Sequence, residues 1–129
     1  MTKKLRVTID GRKYHAFLEE NPLTQQLEGM CPFEMDIQKR GGHEYYASLP
    51  RKLSQKKCRI VSKTRKNQIT YFDGWNALSF LYEDADISPY SVAYLGEFEE
   101  DVAAYLRGAR QKIHIRCELD QESREERDG

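Results

Sequence analysis

Apolar and polar residues alternate with a period of two over much of the chain, which is the pattern of β-strands covered on one face. Near the start, the alternating apolar residues are Leu5, Val7 and Ile9. Gly11 then marks a turn into a second alternating run over residues 14–18. Two such runs joined by a tight turn predict an N-terminal β-hairpin.

The same pattern predicts further strands over residues 33–38, 43–49, 58–61, 69–72, 77–82, 91–98 and 113–119. Two short helices interrupt them: Asn21 is predicted to cap a helix over 23–30, and the acidic residues 99–101 to open one that ends at Gly108. The polar segment 83–89 is predicted to be a loop. This order of elements predicts a mainly β protein, a closed antiparallel barrel of about eight strands with two short helices. The predicted inward-facing residues are Leu5, Val7, Ile9, Ile113, Ile115, Cys117 and Leu119.

The densest aromatic cluster lies in residues 69–82 and contains the only tryptophan, Trp75. A turn signal at Asp73 separates a β-branched and aromatic run from the nearly continuous apolar run 77–82, which is typical of a strand covered on both faces. The bend places Trp75 and Asn76 where this strand meets the surface. There the indole can line the mouth of a pocket, or it can plug an end of the barrel.

Length and composition indicate one domain, a barrel over residues 1–119. Residues 120–129 are highly charged and contain no apolar side chain, so they are predicted to form a flexible tail. No apolar run approaches the roughly 20 residues of a membrane span, and no signal peptide is recognisable. We therefore expect a soluble, cytoplasmic protein with no membrane partner.

Charge is balanced overall, with a formal net charge of +0, but it is unevenly distributed. Residues 51–66 carry eight basic side chains and no acidic one, whereas residues 83–101 are acidic without a base. The basic run lacks interleaved aromatics for base stacking and any glycine-rich phosphate loop, so nucleic acid is not the favoured partner. A solvated loop, or neutralisation by the acidic run, explains it as well.

Residues that often bind metals are present but scattered. The cysteines Cys31, Cys58 and Cys117 are odd in number and far apart, which indicates reduced structural thiols. His15 and His114 point outward on their predicted strands, with no further ligand at a suitable spacing. We therefore predict no metal site and no cofactor.

Four segments in order along the chain carry a family resemblance: Asn21-Pro22-Leu23-Thr24, Leu49-Pro50-Arg51-Lys52-Leu53, Tyr71-Phe72 with Trp75, and Leu95-Gly96. They resemble the Asn-Pro-Thr segment, the Leu-Pro hairpin end, the Tyr-Tyr-x-Pro-Trp-Gly-Asn turn and the Leu-Gly strand of the bacterial cyclophilin-like family. That family comprises small single-domain relatives of the peptidyl-prolyl isomerase barrel. The resemblance covers about Leu5 to Leu119 and implies the same eight-stranded barrel.

The resemblance implies the fold more strongly than an activity. The Phe-His-Arg and Gln-Gly-Gly-Asp segments of isomerase cyclophilins do not occur in this sequence. The favoured hypothesis is therefore a binding module for a small ligand or a proline-containing peptide. Its candidate ligand-binding residues are Trp75, Tyr71, Tyr82 and Asn76.

The alternative hypothesis is a peptidyl-prolyl cis-trans isomerase. Such an enzyme needs an apolar slot for the proline ring and a hydrogen-bond donor, usually a guanidinium, beside the amide that rotates. Arg51 is the candidate for this catalytic donor.

Overall fold

The computed structural model of the chain describes residues 2–55 and 57–120, so the predicted tail, apart from Asp120, lies outside the described residues. The strands are β1 (Thr2–Ile9), β2 (Arg12–Glu19), β3 (Phe33–Arg40), β4 (Glu44–Ser48), β5 (Arg59–Val61), β6 (Lys63–Thr64), β7 (Gln68–Phe72), β8 (Ala77–Leu81), β9 (Ala85–Asp86), β10 (Val92–Phe98) and β11 (Lys112–Leu119). The helices are α1 (Pro22–Met30) and α2 (Val102–Arg107), with a 3₁₀ turn at Asp73–Trp75.

Eight of these strands close into an antiparallel barrel. The order around the barrel is β2, β1, β11, β3, β4, β8, β7 and β10, and β10 pairs again with β2 to complete the circle. The predicted closed eight-stranded barrel with two helices is thus confirmed. The strands β6 and β9 were not predicted from the sequence, because they have two residues each and pair with one another outside the barrel.

The interior follows the predicted alternation. Val7 lies opposite Cys117 and Ile9 opposite Ile115 across the β1–β11 pair, and all four are buried. Leu119 is less enclosed than predicted, because it lies at the end of β11 and is only partly buried. Side chains at every second position thus fill the barrel, as they must in a barrel of this size.

Helix α1 begins at Pro22, directly after the predicted cap Asn21 and one residue before the predicted start. The Asn21 side chain accepts a hydrogen bond from the Thr24 amide at 2.9 Å, and the Thr24 hydroxyl accepts one from the Asn21 amide at 3.1 Å. This reciprocal pair is a capping box, which satisfies two amides that a helix start leaves unpaired. Leu23 and Leu27 are buried on the same face of the helix.

Helix α2 begins later than predicted, at Val102 rather than at Glu99. The amide of Glu99 donates to the carbonyl of His15 on β2, which holds this segment against the barrel and outside the helix. The acidic side chains therefore precede the helix instead of forming its first turn. No helix in residues 2–55 and 57–120 is long and apolar enough to cross a membrane.

Closure of the barrel depends on Gly96 in β10. The pairing of β10 with β7 is irregular between Tyr94 and Gly96, and Gly96 is also the point where β10 meets Leu18 of β2. A Cβ atom at this position would lie 2.0 Å from the carbonyl oxygen of Phe17. The absence of a side chain therefore permits the two backbones to approach closely.

The basic and acidic runs of the sequence meet in the fold. Lys63 of β6 lies opposite Asp86 of β9, and the amide of Lys66 donates to the Asp84 carboxylate at 2.9 Å. Arg59 forms an ion pair with Glu19. These contacts are exposed, so each contributes little to stability, but they reduce the local positive field of the basic run.

Candidate functional site: an aromatic cleft on the outer face of the barrel

The site is built on the outer face of strands β4, β7 and β8. Tyr45 and Phe80 point into the barrel, so the alternate residues Tyr46, Ser79 and Thr70 stand side by side on the outside. Ser79 and Thr70 are nevertheless buried, and so are both faces of β8. This double coverage explains why residues 77–82 are nearly continuously apolar, as the sequence analysis predicted.

A cleft of about 350 Å³ lies over this outer face. We call it the Trp75 cleft, and its lining comprises Arg40, His43, Glu44, Tyr46, Thr64, Thr70, Phe72, Trp75, Ala77, Ser79, Leu81, Ile87, Tyr90 and Val92. Its size is within the range of small-molecule sites, and its lining is largely apolar with a few polar groups.

One side of the cleft is a loop held against the small β6–β9 ribbon. The amide of Ile87 donates to the carbonyl of Ser62 at 2.8 Å, and the amide of Tyr90 donates to the carbonyl of Ile87 at 2.8 Å. Tyr90 keeps 69% of its surface exposed although it lines the cleft. A large aromatic ring is thus held at the edge of an apolar cleft.

Trp75 forms the aromatic wall of the cleft. Its ring packs edge-on against Phe72, with centroids 5.2 Å apart, and at a tilt against Tyr46, with centroids 5.8 Å apart. The guanidinium carbon of Arg40 lies 4.0 Å from the centroid of the indole, a close cation–π contact. Trp75 keeps 46% of its surface exposed, so it lines the outer cleft and does not plug the barrel end.

Glu44 supplies a carboxylate inside this largely apolar cleft. Its side chain is 19% exposed, and its Oε2 lies 3.8 Å from Nε2 of His43. Burial raises the pKa of Glu44, while the charges of His43 and Arg40 and a hydrogen bond from Ser79 oppose the shift. A carboxylate that is costly to ionise in a cleft is a feature of many binding and catalytic sites.

The other candidates predicted from the sequence lie outside this lining. Asn76 is next to Trp75, but its side chain is engaged by the protein. Its Oδ1 accepts from the Leu53 amide at 3.0 Å and from the Tyr71 hydroxyl at 2.5 Å, and its Nδ2 donates to the Arg51 carbonyl at 2.9 Å. Tyr71 is fully buried on the inner face of β7. Asn76 and Tyr71 thus anchor the segment that contains Arg51.

Arg51 and Tyr82 are also placed away from the Trp75 cleft. Arg51 is exposed and belongs to the segment anchored by Asn76, and it does not line the cleft. Trp75 precedes β8 and Tyr82 follows it, so the two residues lie at opposite ends of this strand. Tyr82 packs against Tyr45, with ring centroids 5.7 Å apart. Of the five residues named from the sequence, the structure therefore places only Trp75 in the cleft.

Phe72 belongs to the same aromatic cluster of the sequence as Trp75, but Arg40 and Tyr46 were not predicted to lie beside the indole. Period-two alternation does put Tyr46 on the face opposite to the buried Tyr45, which is the one available signal. The position of Arg40 depends on the pairing of β3 with β4 and of β4 with β8, and the latter joins segments about thirty residues apart. No local pattern reports such a pairing.

A second cluster of potential ligand groups forms around His15. Its Nδ1 lies 3.0 Å from Oε2 of Glu100 and 4.0 Å from Oε2 of Glu99, neighbours that the sequence spacing did not suggest. These atoms lie within 4.8 Å of one another, as metal ligands would. However, Glu100 also accepts a hydrogen bond from the His15 amide, and Glu99 pairs with Lys4 at 3.5 Å. Hydrogen bonds and ion pairs thus account for this cluster.

The cysteines are unsuited to nucleophilic chemistry. Burial raises the pKa of the Cys31 thiol to about 11 and shifts the pKa of Cys117 upward as well. All three cysteines are free thiols. Because the thiolate is the reactive form, Cys31 and Cys117 are inert near neutral pH.

The fold and its outer cleft define a class of protein, an eight-stranded antiparallel barrel of cyclophilin type. Comparison with known families agrees, because the pattern of the Cyclophilin-like family matches residues 7–118. The chain therefore belongs to the cyclophilin-like family, as the resemblance in its sequence implied.

Among solved structures, the chain is similar to the solution structure of a hypothetical protein from Archaeoglobus fulgidus. The two share 15% sequence identity with a TM-score of 0.71, over 92% of this chain and 95% of the other. At this identity the likeness concerns the fold alone. No curated protein matches the sequence.

Proposed function

We propose that this protein is a binding module and that the Trp75 cleft receives a small ligand or a short proline-containing peptide. The observation that carries the proposal is the aromatic wall of Trp75, Tyr46 and Phe72 over a cleft of about 350 Å³. An exposed indole beside other rings offers a stacking surface, and a proline ring or an aliphatic group can pack against it. No cofactor is part of the proposal, and a cytoplasmic location is proposed on the sequence alone.

Trp75 also provides the test, because it is the only tryptophan and its fluorescence reports on the cleft. We expect proline-containing peptides or small apolar ligands to shift its emission in a saturable manner. Tyr46→Ala should weaken this binding at least several-fold, because it removes one ring of the wall. The matched control is Tyr14→Ala, which removes an aromatic ring that does not line the cleft. An emission spectrum that no ligand or quencher alters would refute the proposal.

The second candidate function is peptidyl-prolyl isomerisation. It is favoured by one observation, a guanidinium at the aromatic wall, although this guanidinium belongs to Arg40 rather than to the candidate Arg51. An isomerase should accelerate the relaxation of an X-Pro peptide, which is slow without catalysis. Arg40→Ala and Arg51→Ala would show which guanidinium, if either, carries that rate. We expect binding without acceleration, and a rate that Arg40→Ala or Arg51→Ala abolishes would favour the enzyme instead.

A further inference from the structure

The charged groups of the Trp75 cleft specify its ligand further. Arg40 of β3 and Glu44 of β4 lie opposite one another across their hairpin, where oppositely charged side chains commonly pair. Here they do not. The guanidinium of Arg40 instead lies over the indole of Trp75 at 4.0 Å and near the ring of Tyr46 at 5.3 Å.

Arg40 therefore retains its hydrogen-bonding capacity. Within residues 2–55 and 57–120, no carboxylate lies within 4.0 Å of its guanidinium nitrogens, and no protein acceptor receives a hydrogen bond from them. By contrast, other arginines of the fold, such as Arg59, Arg107 and Arg110, each pair with a carboxylate. The two rings restrict where the Arg40 side chain lies, so its planar set of donors is already positioned at the cleft.

Among the described residues that line the cleft, Glu44 is the one acidic side chain. Its carboxylate is largely enclosed and lies beside His43, and burial raises its pKa. The charges of His43 and Arg40 and a hydrogen bond from Ser79 oppose this shift, and the Glu44 carboxylate forms no ion pair with the Arg40 guanidinium. The guanidinium of Arg40, which is always charged, is thus available to an incoming anion.

We propose that the Trp75 cleft selects a carboxylate attached to an apolar body, with the carboxylate paired to Arg40 and the apolar body packed against Trp75, Phe72 and Tyr90. This inference rests on the proposed binding function. A guanidinium and a carboxylate match geometrically through two parallel hydrogen bonds, which are stronger than neutral ones. The same chemistry occurs in a small organic acid and in the C-terminus of a peptide.

The test compares ligands that differ in charge alone. The probes are 3-phenylpropionate, its primary amide and the corresponding amine, 3-phenylpropylamine, together with a Pro-Phe peptide that has either a free or an amidated C-terminus. Dissociation constants are measured by Trp75 fluorescence and by ligand-observed NMR. We expect each acid to bind at least about tenfold more tightly than its amide. Added salt should reduce this ratio of dissociation constants. If the peptide acid binds at least tenfold more tightly than phenylpropionate, a peptide C-terminus is the source of the carboxylate; otherwise a small acid suffices.

Variants assign the preference to Arg40. In Arg40→Gln the ratio should fall to about one while the amide binds as before. Arg40→Lys keeps the charge but loses the planar fork and should lose most of the ratio. Arg12→Gln removes an exposed arginine that lies over an aromatic ring outside the cleft, that of Tyr105, and should leave the ratio unchanged. Because Arg40 is exposed, circular dichroism of these variants should match that of the unmodified protein.

The outcomes separate this inference from the binding function on which it rests. Acid and amide that bind equally well would overturn carboxylate selection and leave the binding module intact. Tighter binding of the amine would overturn it in favour of a cation held by Glu44. If none of these probes binds, both proposals fail.

Discussion

Both ring nitrogens of His114 face carboxylates on the outer surface of β3. Its Nε2 lies 2.7 Å from Oε1 of Glu34, and its Nδ1 lies 3.0 Å from Oδ1 of Asp36. Only the protonated ring can donate from both nitrogens at once. Hydrogen bonds to Glu34 and then to Asp36 therefore raise the pKa of His114, and the pKa of Glu34 is lowered in turn.

We predict that His114 titrates with a midpoint above its ordinary value of 6.5, measured by NMR of the imidazole protons. Glu34→Gln should lower the midpoint, because it removes the stronger of the two acceptors. Because folding raises the pKa of His114, its pairing with the two carboxylates contributes fully to the free energy of unfolding below the pKa of the unfolded state. This contribution is lost as the pH rises through the pKa of the folded state. It should be small, because the side chain is 51% exposed. A midpoint at or below 6.5 would contradict the assignment.

Asn76 illustrates how a residue near a site can serve the fold. It adopts a left-handed backbone conformation with φ of 49°, which asparagine tolerates better than most residues. Its side chain also joins the Leu53 amide, the Tyr71 hydroxyl and the Arg51 carbonyl. Through the hydrogen bonds to Leu53 and Arg51, Asn76 binds the 49–53 segment to the end of the barrel.

We predict that Asn76→Ala lowers the free energy of unfolding by about 3 kcal/mol, from the lost hydrogen bonds and the unfavourable φ. Asn76→Gly removes the same hydrogen bonds but accepts the positive φ, so its loss should be nearer to 2 kcal/mol. Urea denaturation measures both. If Asn76→Ala changes stability by less than about 0.5 kcal/mol, the anchoring role is wrong.

The sequence could locate Trp75 at an exposed bend, because a turn signal and a change of pattern flank it. It could not locate Arg40 or Tyr46 beside the indole. Their proximity results from strand pairing between distant segments, which depends on the whole barrel. The proximity of Arg40 and Tyr46 to Trp75 is therefore a property of topology, and local patterning does not encode it.

At the scale of elements, alternation predicts the barrel strands well because each has one face in a common core. It fails for β6 and β9, which have two residues each and pair outside the core. The predicted start of α2 at the acidic residues 99–101 was also wrong, because acidic side chains are equally suited to a helix start and to pairing with Lys4 and His15. The elements that sequence patterns miss are those whose partners lie outside the core.

At Gly96 the strands β10 and β2 approach closely, and this contact supports a sharp prediction. A methyl group there would lie 2.0 Å from the carbonyl oxygen of Phe17 and 2.9 Å from Cα of Leu18. Both are backbone atoms, so the pairing of β10 with β2 would have to shift. We predict that Gly96→Ala lowers the free energy of unfolding by about 3 kcal/mol or more.

The matched control is Gly29→Ala in helix α1, where an added methyl group would meet nothing within 4 Å. Alanine favours helical conformations, so this variant should stabilise the protein by up to about 1 kcal/mol. Both are measured by urea denaturation under the same conditions. Equal effects of the two substitutions would show that close approach at Gly96 does not limit barrel closure.

At the scale of the whole molecule, a closed barrel with an added outer layer explains the candidate site. The eight strands satisfy one another's backbone groups, so the fold does not require the β6–β9 ribbon and its loop for closure. These segments instead cover the outer face of β8 and form one side of the Trp75 cleft. The basic and acidic runs meet in the same layer, so charge neutralisation and cleft formation involve the same segments.

The end of the barrel domain gives the last prediction. The amide of Asp120 donates to the carbonyl of Lys4 at 3.2 Å, and the Asp120 side chain is only 2% exposed, so this residue belongs with the barrel. Residues 121–129 contain no apolar side chain, and we predict that they contribute nothing to the core. Truncation after Asp120 should therefore change the melting temperature by no more than about 1 °C.

Truncation after Arg116 is the comparison, because it also removes buried Cys117, opposite Val7, and the pairing of Leu119 with Leu5. The loss of buried apolar area and strand pairing should lower the free energy of unfolding by several kcal/mol. Because each kcal/mol shifts the melting temperature by roughly 2–8 °C, we expect it to fall by about 10 °C or more. Differential scanning calorimetry measures both forms. A drop of several degrees on truncation after Asp120 would mean that residues 121–129 pack against the barrel, and the domain boundary would then lie beyond residue 120.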